Sequence, residues 1–147
     1  MFKLHADERL TRWRDFRKSL SATDLGSAVA SVAKFWAPCP FNPYYLDPDK
    51  PESWPDPWTL LTENWYCDLA KALGMLYTIK YTSHSPSVEL HIYRDSVSRY
   101  DYNVVWVNNG EYILNLYDGE LATINDISPT WRLTKKFLDS DLKLDNY

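Results

Sequence analysis

The sequence predicts an α+β domain, with helices and a central cysteine-bearing helix packed on an antiparallel sheet. Two observations carry that expectation. Apolar residues in the first third recur at helical spacing, and beyond Pro86 the apolar period drops to two, with turn signals between the alternating runs. A length of 147 residues, 45% of them hydrophobic, suits one domain that buries a single core. The expected division is helical over residues 1–36, a proline and aromatic strap over 37–57, and a helix plus antiparallel sheet over 58–147.

In the helical part, Leu10, Trp13, Phe16 and Leu20 share one face, with Arg12, Arg14, Asp15, Arg17 and Lys18 on the other. Ser21 or Thr23 is expected to cap a second helix carrying Leu25, Ala28, Val29, Val32, Phe35 and Trp36, which Pro38 ends. The strap follows, with seven of the nine prolines interleaved with Tyr44, Tyr45, Trp54 and Trp58. Proline at this density excludes helix and central strand. The aromatics are expected either to pack on the domain or, as rigid apolar groups, to bind a protein partner.

Asn64 is a favourable cap for the next helix, with Trp65, Leu69, Leu73 and Leu76 on one face. That reading places Cys67 in the first turn, where free N–H groups and the helix dipole favour a thiolate. The helix ends at Gly74, followed by a strand MLYTIKYT, or continues to about Lys80. SVELHIYR then alternates Val88, Leu90 and Ile92 against Glu89, His91 and Tyr93. YNVVWV and EYILNLY flank Asn108-Asn109-Gly110, a hairpin signal, and Asp118-Gly119 marks a further turn before ELATI. WRLTKKFL reads as a strand or a helix, with strand the favoured of the two.

Sixteen basic against twenty acidic residues give a net charge of −4, which argues against general nucleic-acid binding. The charge is uneven. Lys3, Arg9, Arg12, Arg14, Arg17 and Lys18 crowd the first eighteen residues, as solvated residues or as a docking surface for an acidic partner. Nucleic-acid binding through Arg9, Arg12 and Arg14 is the weaker third reading. With two cysteines, Cys39 and Cys67, no disulfide framework is expected and the composition suits a reducing compartment. The charged N-terminus does not read as a signal peptide, and no apolar run approaches membrane-spanning length.

No cofactor is expected: His5, His84 and His91 are scattered, no metal-ligand spacing occurs, and four isolated glycines build no phosphate loop. The remaining chemistry is centred on a thiol. PWTLLTENWYCDLAKALG, SVELHIYRD and YNVVWVNNGEYILNLYD follow one another in an order that resembles the transglutaminase-like branch of the cysteine-protease fold. In that family a cysteine opens a buried helix, and a later hairpin presents a histidine on its first strand and an aspartate at the end of its second. The resemblance covers residues 57–118 and implies Cys67 at the nucleophile, Asn103 at the histidine and Asp118 at the aspartate. Asn103 follows Cys67 by 36 residues and precedes Asp118 by 15, as that order requires. An asparagine amide has no titratable nitrogen at neutral pH, so this triad lacks its base. The implied state is an inactive relative, with His91 as the alternative base.

The strap and the stretch WPDPWTLL through YCDLAKALGMLYTI also resemble small proteins of tailed bacteriophages. That likeness implies a location in the virion or the bacterial host cytoplasm. The expected function is therefore a non-catalytic structural or interaction protein, a virion component or assembly factor. It would bind protein partners through Tyr44, Tyr45, Trp54 and Trp58, without nucleic acid or membrane. A cysteine hydrolase or acyl-transferase using Cys67 is the alternative.

Overall fold

A computed structural model describes residues 1–43 and 45–144. Helix α1 spans Ala6–Leu20 and α2 spans Leu25–Trp36. The cap of α2 is Asp24, whose carboxylate accepts the Ser27 N–H at 2.8 Å. Neither expected cap serves: Ser21 closes α1, and the Thr23 hydroxyl donates back to the Leu20 carbonyl at 2.9 Å. An aspartate competes well for exposed helix N–H groups because its charge also meets the helix dipole.

Two arginines expected at the solvent belong to the fold. Arg9 donates to the carbonyls of Leu61 and Thr62 at 2.9 Å each, and to Leu4. Those two carbonyls lie in the last turn of α3, Pro57–Glu63, where intrahelical donors run out. Arg17 lies over the Trp13 ring, 4.2 Å from its centroid, with Trp58 and Tyr81 beside it.

The expected single helix after the strap is two. Pro57 opens α3 at its first turn and Asp56 caps it through the Thr59 N–H, a start signal that the proline run concealed. Asn64 ends that helix in the left-handed region at φ 59°, which asparagine tolerates better than most residues. It caps nothing that follows. Trp65, freed from a helix face, is 57% exposed. Helix α4 runs Asp68–Lys80 straight through Gly74, so MLYTIKYT supplies no strand. A side chain at Gly74 would overlap the Trp36 indole, since a Cβ there would lie 2.4 Å from a ring carbon.

Helix α4 is buried almost all round from Leu69 to Ile79, as expected of a helix held between α2 and a sheet. A polar knot fixes it. The Thr78 hydroxyl accepts the indole N–H of Trp13 at 2.9 Å and of Trp36 at 3.0 Å, and donates to the Gly74 carbonyl at 2.6 Å. Its one donor and two acceptor positions are thereby all used.

Strands β1 (Val88–Asp95), β2 (Asp101–Val107), β3 (Tyr112–Tyr117), β4 (Glu120–Ala122) and β5 (Trp131–Leu138) form one antiparallel sheet in the order β4-β3-β2-β1-β5. The β2–β3 turn uses Asn108 and Asn109 at φ 55° and 59° and Gly110 at φ 90°, as its asparagine-glycine signal predicts. On the helix side, Leu90, Ile92, Val105, Val107 and Leu114 join the main core. The opposite face builds a second apolar layer from Tyr93, Val104, Ile113 and Ala122, with Tyr102, Trp106 and Trp131 packed on it. Among the described residues, no helix is long and apolar enough to cross a membrane.

The strap is tied to its own domain. Trp54 is 1% exposed, donates its indole N–H to the Asp47 carbonyl at 2.8 Å and packs edge-on against Phe137. Asp49 pairs with Lys135 at 2.7 Å, and Lys143 donates to the Glu52 and Trp54 carbonyls.

Candidate active site

Cys67 is the cap residue of α4, one position outside the helix: its Sγ accepts the Ala70 N–H at 3.4 Å. The approach to it is defined by the preceding residues. Asn42 donates its N–H to the Tyr66 carbonyl at 2.9 Å, and Phe41 bridges Tyr66 in parallel, which draws the strap alongside the α4 entrance. A groove of about 210 Å³ results. Phe41, Pro43, Leu46 and Pro48 form its strap wall; Cys67, Asp68 and Leu69 form its helix wall. Ile92, Asp101 and Asn103 form the side given by the sheet.

Cys67 and Asn103 therefore line one groove, but the partner of Asn103 is Asp68. Asn103 donates its side-chain N–H to Asp68 Oδ2 at 2.8 Å. Asn115 completes the cluster by donating to Asp68 Oδ1 at 3.2 Å and to the Asn103 carbonyl at 2.9 Å. Asp118 stands apart: it is exposed, and its Oδ1 accepts from Lys71 Nζ at 2.8 Å. A lysine one helical turn beyond the cysteine holds the carboxylate that the family order assigns to the triad.

His91 is no substitute base. Its neighbours Leu90 and Ile92 face the helices, and alternation along β1 turns His91 to the other face. There it stacks on Trp106 with centroids 4.5 Å apart, its Nδ1 2.9 Å from the Tyr93 hydroxyl and its Nε2 3.1 Å from Glu89. A carboxylate only accepts, so Nε2 carries the proton and neutral Nδ1 accepts from Tyr93. Burial pushes the imidazole below its ordinary value, against the opposing pull of Glu89. The other two histidines are also remote: His5 precedes α1, and His84 Nε2 lies 3.2 Å from the Leu20 carbonyl. Burial pushes the second thiol, Cys39, up to about 11, which keeps it protonated at neutral pH.

The four aromatics expected to meet a partner separate. Trp54 is internal, a correction that follows from the tethering of the strap. Trp58 belongs to α3 and packs edge-on against Trp13 and parallel to Tyr81. Tyr45 is half-buried and donates its hydroxyl to the Glu63 carboxylate; burial, aided by that bond, raises its pKa. Tyr44 lies outside the described residues. The aromatics that do stand out beside the groove are Phe41, 72% exposed, and Trp65. Asp68 and Asn115 also belong to this site. Asp68 is the acidic first-turn residue next to the cysteine, and Asn115 interrupts an otherwise apolar strand run at φ 68°.

Helices packed on one antiparallel sheet in this order match the transglutaminase-like fold, and the chain has that fold. Solved structures of LapG from Legionella pneumophila show the likeness. The calcium-bound form has a TM-score of 0.72 at 12% identity, covering 94% of this chain and 82% of LapG. The EGTA-treated form has a TM-score of 0.70 at 13% identity, covering 91% and 77%. No family model matches the sequence, and no curated protein does.

Proposed function

We propose that this chain is a non-catalytic interaction protein on a transglutaminase-like scaffold, in which the groove beside Cys67 receives a segment of a protein partner without cleaving it. The bond from Asn103 to Asp68 carries the reading. At the position from which an imidazole would take the thiol proton stands an amide that cannot accept one, committed to a carboxylate. A thiol hydrolase without its base loses several orders of magnitude in rate. The apolar strap wall and exposed Phe41 and Trp65 supply binding surface that does not depend on catalysis.

The likeness of the strap and helix sequence to small tailed-phage proteins supports a finer reading, a virion component or assembly factor. Mass spectrometry of purified particles tests it, and recovery of the chain only from free host protein removes the virion component. Among the described residues no group of three or more His, Cys, Asp or Glu could hold a metal. The competing reading, a cysteine hydrolase, draws on the fold and on Cys67 at the helix start. Iodoacetamide labelling of the native protein at about pH 6 decides between them. Slow labelling of Cys67, rising to the free-thiol rate on unfolding, is expected; rapid selective labelling in the native state overturns the non-catalytic reading.

A further inference from the structure

A second concave surface lies away from Cys67, between α1 and α3. It has a volume of about 510 Å³ and is lined by Leu10, Thr11, Arg14, Arg17, Lys18 and Trp58. Three of these six residues are cations and none is an acid, in a chain of net charge −4. The cations stand at positions 14, 17 and 18, one turn of a single helix, so their charges converge. Their neighbour Arg9 is consumed by the fold, as the capping group of α3, whereas Lys18 projects from α1 exposed and Arg14, also exposed, meets Asp15 at 3.4 Å in a solvent-screened pair that an incoming acid can displace. Arg17, 5% exposed, is held by Trp13, Trp58 and Tyr81 and adds its positive charge to the floor of the cleft.

We infer that this cleft docks an acidic segment of a protein partner, with one apolar side chain of that segment seated against Leu10 and Trp58. Charge complementarity selects the acid, and the apolar wall selects a peptide over a bare polyanion. Nucleic acid fits less well. A duplex would extend past the cleft over Asp7, Glu8 and Asp15, which repel it, and the same acids confine an acidic peptide to the few residues that the cleft itself holds. The cleft shares no residue with the Cys67 groove, so the inference stands independently of the proposed function.

Fluorescence anisotropy on the full chain tests it, with a short labelled peptide of Asp and Glu around one central Phe, at low ionic strength. Saturable binding is expected, weakened about tenfold or more by the double substitution Arg14→Glu and Lys18→Glu, and weakened also when the peptide's Phe becomes Ser. Both substituted residues are exposed, so the variant keeps the helical circular-dichroism spectrum and a cooperative melt while binding is lost, and Cys67→Ala leaves binding intact. Equal binding by the charge-reversed variant, absence of saturable binding, or tighter binding of duplex DNA than of the peptide overturns the inference. Indifference to the Phe overturns it as well.

Discussion

On one face of the sheet Cys67 caps α4 and shares a groove with Asn103 and Asp68; on the other, His91 is stacked on Trp106 between Glu89 and Tyr93. The chain thus owns a thiol and an imidazole, and the sheet stands between them. Each is accommodated by its own face. On the helix side carboxylate, amides and thiol meet at the α4 entrance, whereas the imidazole closes a bonded run along the far layer. Possession of the residue types for a reaction says little until the side of the sheet on which each one points is known.

The contrast can be broken most severely on the helix side. Thr78→Val keeps the shape of the side chain but leaves the Trp13 and Trp36 indole N–H groups buried without an acceptor. At about 1–3 kcal/mol per orphaned group, a loss of roughly 2–6 kcal/mol is expected in denaturant unfolding. No single far-face polar substitution should match it.

Asn103→His moves an imidazole to the face that lacks one, with Asp68 already placed to orient it. Alkylation of Cys67 near neutral pH is expected to accelerate about tenfold or more, while His91→Gln leaves the rate unchanged. An unaltered rate in Asn103→His would show that position 103 does not address the thiol. Asp68→Asn tests the cluster itself. Its carboxylate bonds to Asn103 and Asn115 lie at an exposed position, so about 1 kcal/mol of stability should go, measured by thermal melting.

The smallest effect distinguishes the far face through pH. His91 is held below its ordinary value of about 6.5 by burial, so the folded chain binds its proton less readily than the unfolded chain does. The stabilisation is complete above about 6.5 and declines as pH falls toward the folded value. Glu89, Lys136, Tyr93 and Trp106 are the groups around the ring. Melting temperatures measured over that window should fall with pH in the parent chain and less steeply in His91→Gln; identical slopes would place the titration elsewhere.

Local signals in the sequence determined much of this protein. The apolar period marks α1, α2 and the alternation in β1, and Asn108-Asn109-Gly110 marks the hairpin, because these follow from side-chain direction and positive φ in neighbouring residues. The order of helix, strand and hairpin also carries the fold and the pairing of positions 67 and 103 in one groove. Competition between groups distant in the chain was decided only by the tertiary structure. Asn64 reads as the cap of the next helix until Arg9 and Leu60 claim the end of α3 around it. Trp54 reads as a contact for partners until Phe137 and Asp47 enclose it. Asp118 and Asp68 are both acids near the site, and the nearest donor chose between them: Lys71 took the first, and Asn103 and Asn115 the second. A side chain's neighbours across the fold are set by packing of the whole core, which no window along the chain contains.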